Sequence, residues 1–152
     1  AEANAFLWWG LIYSLAPRTE RDANVQQKHR DEGLVLVCAP ADQVGEYQTC
    51  IERTKKFFTF AQYSQFIQPG YQRIDMKPVS DLHASAYVNE DGTRLVVVVI
   101  NDSATTKKLS FQVDVGYNLV STHQTDKVRN CEEIDEDVFL VPQSVRTVVF
   151  QR

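Results

Sequence analysis

The residues best suited to chemistry lie in a few short stretches. Trp8 and Trp9 sit side by side in the run Phe6-Leu7-Trp8-Trp9-Gly10-Leu11-Ile12-Tyr13. Successive strand residues point to opposite faces, so one tryptophan can enter a core while the other lines a cleft. An aromatic face above a cleft holds a sugar ring by stacking against its C–H groups; the alternative is that both tryptophans are core. Glu132, Glu133, Asp135, Glu136 and Asp137 form a cluster of carboxylates. Neighbouring carboxylates alternate in direction, which fits a solvated loop better than a calcium site. Cys38 and Cys50 flank the turn-rich Ala39-Pro40-Ala41-Asp42 and Val44-Gly45. Oxidised, they would close a loop of about a dozen residues and stabilise the fold by roughly 3 kcal/mol, which makes them the disulfide candidates. Cys131 is either a free thiol or the partner of a cysteine outside this sequence. Asn101-Asp102-Ser103 fits the N-x-S/T pattern, so Asn101 is a glycosylation candidate in a secreted protein. His29, His83 and His123 are scattered and no C-x-x-C occurs, so no metal or cofactor is expected. Neither a nucleophile elbow nor a phosphate-binding glycine loop is present.

The elements that must position these residues fall into two compositional parts. The aromatic run reads as a strand buried on both faces. Such a strand needs neighbours on both sides, and parallel ones require crossovers of a dozen or more residues. The expectation is a sheet that continues into upstream sequence; an edge strand is the plainer alternative. Arg18 to Glu32 is charged and sparsely apolar, as in a solvated loop, and Leu34 to Val37 fits an extra strand. Thr49-Cys50-Ile51-Glu52 matches a capping box. Phe57, Phe60, Tyr63, Ser64 and Ile67 then recur at helical spacing until Pro69-Gly70, which predicts a helix over about residues 50–67. From Tyr71 onward the chain reads as six or seven short strands. The segments are Tyr71 to Met76, Ala84 to Asn89, Arg94 to Asn101, Leu109 to Val115, Tyr117 to Gln124, Val138 to Val141 and Val145 to Phe150. Glu90-Asp91-Gly92 is the turn of a hairpin. The uninterrupted apolar run from Leu95 to Ile100 marks a central strand. An antiparallel sandwich follows.

Composition sets the outer limits. The 152 residues suit one ordinary domain. Sixteen Lys and Arg against twenty Asp and Glu give a net charge of −4 and a pI near 5.3, which argues against a nucleic-acid groove. No apolar stretch reaches the roughly 18 residues of a membrane-spanning helix, so no membrane partner is expected. The start carries no Met, charged n-region or small-residue cleavage pattern, so it does not read as a signal peptide.

Three strings, in order, resemble glycoside hydrolase family 30. Phe60-Ala-Gln-Tyr-Ser-Gln-Phe-Ile-Gln-Pro-Gly-Tyr-Gln-Arg-Ile-Asp75 is similar to that family's helix-to-sandwich junction, where a Ser-x-Phe-[Ile/Val]-x-Pro-Gly-Tyr-x-Arg-Ile string recurs. Asn4-Ala5-Phe6-Leu7-Trp8-Trp9 resembles the eighth barrel strand of the family's xylanases, and Val141 to Val149 resembles its last sandwich strand. The resemblance covers nearly the whole chain apart from Arg18 to Cys50.

It implies a mainly β chain: the last β/α unit of a (β/α)8 barrel over residues 1–68, completed by upstream sequence, and an antiparallel β-sandwich side domain over 69–152. The implied reaction is retaining hydrolysis of β-1,4-xylan by two glutamates about 5–5.5 Å apart, both on upstream barrel strands. This chain therefore holds no catalytic residue and alone should be inactive. Its implied partners are the polysaccharide xylan and the upstream barrel segment, in a secreted protein.

Strand eight would run from about Ala5 to Leu11, its end approaching the face where such barrels carry their active sites. Trp9 matches the family tryptophan that contacts the sugar at the cleavage point, and Trp8 then faces the helices; Trp8 and Tyr13 complete the substrate-binding candidates. In bacterial glucuronoxylanases the motif continues Trp-Trp-Tyr-Ile-Arg-Arg, and the second arginine clamps a glucuronate carboxylate. Here the stretch is Trp8-Trp9-Gly10-Leu11-Ile12-Tyr13, so no bidentate clamp forms from these positions, and Arg18 or Arg21 on the longer loop is the alternative source of one. Other family activities, on β-1,6-galactan, β-1,6-glucan or glucosylceramide, remain open, as does a non-catalytic carbohydrate-binding or bracing sandwich.

Overall fold

The computed structural model describes residues 8, 10–14, 32–38, 50–77, 81–135 and 138–152. The chain divides into two compact units, Ala1–Phe57 and Phe58–Arg152. In the first, β1 (Ile12–Ser14), β2 (Val35–Cys38) and β3 (Cys50–Arg53) form a three-stranded sheet in that order. β1 runs parallel to β2, with Tyr13 opposite Leu36, and β3 runs antiparallel to β2. Leu34 and Leu36 are buried, whereas Leu11, Ile12 and Ile51 are exposed.

The α-helix α1 (Lys55–Ser64) begins later than the sequence predicts. Cys50–Arg53 is a strand because it finds rungs on β2, Ile51 opposite Val37 and Glu52 opposite Leu36. Those non-local pairs outweigh the local capping box. Thr54 is the N-cap instead: its Oγ1 accepts from the Phe57 amide at 3.4 Å, satisfying one of the free donors of the first turn.

The second unit is built on a six-stranded antiparallel sheet. Its strands are β4 (Gln72–Ile74), β5 (His83–Val88), β6 (Arg94–Asn101), β8 (Asn118–Thr125), β9 (Asn130–Ile134) and β11 (Ser144–Gln151). The order is β4-β5-β6-β11-β8-β9, so β6 and β11 lie in the middle. A two-stranded sheet of β7 (Lys107–Lys108) and β10 (Phe139–Leu140) supplies the second layer.

The central strands explain the uninterrupted apolar run. Leu95, Val97 and Val99 of β6, with Val148 and Phe150 of β11, face a core completed by Leu109, Leu140, Phe111 and Val113. Val96 and Val98, with Val145 and Val149, face the opposite way against Phe66, Tyr63 and Ile67 of α1 and the turn after it. A sheet covered on both faces needs apolar residues at every position, not at alternate ones. Leu109 to Val113 keeps alternating burial and packs on the core, but it joins no ladder beyond the Leu109 amide donating to Val138 O at 2.6 Å. The turn at Glu90-Asp91-Gly92 forms as expected. Asp91 Oδ1 accepts from the Thr93 amide and hydroxyl, and Gly92 takes φ +70°.

Helix and sheet of this unit are tied by a buried polar knot. Gln62 Nε2 donates to Thr125 Oγ1 at 2.8 Å, and the Thr147 hydroxyl lies 2.6 Å from Gln62 Oε1 and 2.7 Å from Gln62 O. Both polar atoms of the buried amide thus have a partner, which offsets the cost of desolvating it. Phe66 packs against the His123 ring at 4.6 Å, and Tyr63 meets Tyr87 edge-on at 6.4 Å.

Candidate functional site

The aromatic run places two of its three candidates among the described residues. Trp8 is 38% exposed, and its indole N–H donates to Glu32 O at 2.6 Å. Tyr13 is half-buried on β1. Trp9, with residues 1–7, lies outside the described residues.

The strand expected over Ala5 to Leu11 is corrected where it can be seen. Trp8, Gly10 and Leu11 are not in a ladder, and regular pairing starts at Ile12. The reason is Gly10, whose φ of +131° breaks extended geometry. Backbone contacts to the β2 segment nevertheless reach back, with Val35 N donating to Leu11 O at 2.8 Å and Leu34 N to Gly10 O at 3.4 Å. Gly10 also seats Tyr13. A Cβ at position 10 would overlap the far end of the Tyr13 side chain, which would have to shift, and the positive φ itself favours glycine. A glycine inside an aromatic run is the sequence signal for such a close approach.

The remaining candidates are dispersed. Cys38 and Cys50 occupy directly opposed positions on β2 and β3. Asn101 contradicts its expected role as a glycan acceptor. It is 0% exposed, and its Nδ2 donates to Thr105 O, Leu140 O and Val141 O at 2.9–3.1 Å. Its Oδ1 accepts from Ser103 N and Oγ. The serine that completes the sequence pattern is thus the partner of a buried bracket, and a glycan on Nδ2 has no exit from this fold.

The carboxylate cluster is also corrected. Glu132 and Glu133 lie on β9, opposite Gln124 and His123, not in a loop; Glu136 and Asp137 lie outside the described residues. Among the described residues no group of three or more His, Cys, Asp or Glu is placed to hold a metal ion.

Electrostatics set two other groups apart. Burial depresses His123 below its ordinary value, against the pull of the Glu133 carboxylate. Burial raises the Cys131 thiol; its Sγ lies 3.6 Å from Gln65 Oε1. His123 lies on β8 and Cys131 on β9, the neighbouring strand of the sheet. Among the described residues of the second unit, His83 Nε2 and Asp102 Oδ2 pair at 3.3 Å on an exposed surface beside Ser103 and Lys107, away from the aromatic run. The aromatic run and its glycine remain the candidate site.

Comparison with known proteins agrees with this architecture. The sequence pattern of the glycosyl hydrolase family 30 beta sandwich domain matches residues 70–148. A conserved exported protein from Bacteroides fragilis is 27% identical and superposes with a TM-score of 0.66, over 77% of this chain and 26% of its own. The glycoside hydrolase family 30 subfamily 8 xylanase Xyn30A from Clostridium acetobutylicum shares the fold at 23% identity and a TM-score of 0.60. A GH30 endoxylanase from Clostridium papyrosolvens C71 does so at 20% identity and a TM-score of 0.57. Each of these two is matched over 95% of this chain and 42% of its own length. The chain therefore spans less than half the length of each of these three structures.

Proposed function

This chain belongs to glycosyl hydrolase family 30 through its β-sandwich domain, and from that premise we propose that it is the C-terminal part of a secreted, retaining hydrolase of β-1,4-xylan. In this reading residues 1–68 close a (β/α)8 barrel, residues 69–152 flank it, and two glutamates of the upstream barrel perform the chemistry. Trp9 contacts the sugar at the cleavage point, with Trp8 and Tyr13 beside it. The observation that carries the reading is the family pattern over residues 70–148. The Trp8-Trp9 pair upstream of it supports xylan as the substrate. Secretion is supported by the exported relative. Ile12 and Tyr13 stand where the glucuronate-binding branch has its two arginines, and the Tyr13 ring packs over Gly10, so these two positions offer an apolar and an aromatic side chain in place of cations.

The test uses the longer protein that contains this sequence, assayed on glucuronoxylan, β-1,6-galactan, β-1,6-glucan and glucosylceramide, with the product anomer followed by proton NMR. Release of β-configured xylooligosaccharides at the highest rate, with no hydrolysis by the 152-residue chain alone, is the expected result. Faster turnover of a galactan, glucan or glycolipid, or an inverted first product, overturns the xylanase reading. Turnover by the short chain overturns the placement of the glutamates upstream.

A further inference from the structure

β2 and β3 pair over four rungs, Val35 with Arg53, Leu36 with Glu52, Val37 with Ile51 and Cys38 with Cys50. Directly opposed positions of an antiparallel ladder have Cα atoms about 4.5–5.5 Å apart, inside the roughly 4.4–6.8 Å that a disulfide bridges. The register thus brings two of the three cysteines of the sequence to a bridgeable rung. We propose that Cys38 and Cys50 form a cross-strand disulfide that fixes the last rung of this ladder.

The position of that rung gives the bond a purpose. The opposite end of the ladder is held by Thr54, whose amide donates to Leu34 O at 2.9 Å and whose hydroxyl lies 3.0 Å from Gly33 O and 2.9 Å from Leu34 O. The Cys38–Cys50 end opens into the connection over residues 39–49, which is longer than the two to five residues of common hairpin loops. A connection of that length does not hold its own closing rung, because loop-closure entropy grows with length. The third cysteine is a poor competitor: Cys131 is half-buried beside Gln65, and burial disfavours its thiolate.

The reaction needs an oxidant, and glutathione disulfide suffices. One cysteine thiolate attacks it, forming a mixed disulfide and releasing one glutathione; the second cysteine thiolate then displaces the other. Two protein thiols become one S–S bond, and one glutathione disulfide is reduced to two glutathiones, which carry the two hydrogens. The inference does not depend on which glycan the longer protein cleaves.

The test equilibrates the full chain with reduced and oxidised glutathione, quenches with acid, and alkylates under denaturing, non-reducing conditions. No Lys or Arg lies between Arg30 and Arg53, so trypsin leaves both cysteines in one peptide, and a glutamate-specific protease cuts between them after Glu46. The expected result is two fragments joined until reductant is added, with neither Cys38 nor Cys50 alkylated and Cys131 alkylated. Alkylation of Cys38 and Cys50 in most of the sample, stable capping of either by glutathione, or a bond from either to Cys131 overturns the proposal. In Cys38→Ser the joined fragments should vanish; their persistence would also overturn it.

Discussion

Asp126 is 5% exposed, yet it is surrounded by donors. The amides of Val128 and Arg129 reach its Oδ1, and Gln124 Nε2 and the Arg129 guanidinium reach its Oδ2, all within 2.6–2.8 Å. Burial alone would raise this carboxyl, but the four donors outweigh it and hold the group well below its ordinary value of 3.8. The unfolded chain therefore binds the extra proton first as pH falls below that value. The stabilisation is complete above about pH 5 and is lost progressively in stronger acid. Asp126→Asn should cost about 1.5–3 kcal/mol at pH 7 and flatten the acid limb of the stability profile in urea titrations. Parallel profiles for the two proteins would show that the carboxylate is not the acid-sensitive group. Nothing in the sequence marked Asp126, whereas Asn101 was marked for the wrong work. A three-residue pattern records which side chains are adjacent but not which carbonyls a fold will bring to them from Thr105, Leu140 and Val141. Gly10 was legible in principle, since a glycine inside an apolar run marks a backbone turn to positive φ.

At the level of elements, legibility followed the distance over which each is specified. β6 was read with its observed limits, Arg94–Asn101, because two buried faces leave an unbroken apolar signature. β11 followed within a residue at each end. The start of α1 was misread, since Thr49 and Thr54 are both competent caps and the choice depends on β2, a partner remote in sequence. Leu109 to Val113 alternates as a strand does, yet alternation reports one buried face and not a hydrogen-bonded neighbour. β9 was hidden in a carboxylate run because its acidic residues lie on a solvated strand, not in a loop. Thr54 joins two elements, capping α1 and bonding to the carbonyls before β2. Thr54→Val keeps the shape and removes the hydroxyl. It should lower stability by about 1–2 kcal/mol in urea unfolding, and Thr54→Ser should recover most of the loss. Equal effects of both substitutions would place the role of Thr54 in packing instead.

For the molecule as a whole, the mainly β architecture and the family were legible because the junction string and the sandwich strands lie within one continuous stretch, the region of residues 70–148. Substrate choice belongs to this scale too, since it depends on a barrel that this chain only completes on the proposed reading. With Ile12 and Tyr13 in place of two arginines, removing glucuronate from xylan should change kcat/KM of the longer enzyme by less than about tenfold, because neither position carries a charge to pair with the carboxylate. A strict requirement for the acidic decoration, measured on matched decorated and undecorated oligosaccharides, would refute this. β9 terminates its sheet, and it is poorly suited to templating. Cys131 twists it through a left-handed φ of +57°, Glu132 Oε1 accepts from the Asn130 amide at 3.2 Å, and Thr125 Oγ1 accepts from the Cys131 amide at 3.0 Å. Glu132 and Glu133 add like charge to every copy. An incoming strand would meet a left-handed kink, an Asn130 amide already bonded and electrostatic repulsion, so this margin of the sandwich is guarded against the edge-to-edge aggregation that concentrated β-proteins otherwise risk.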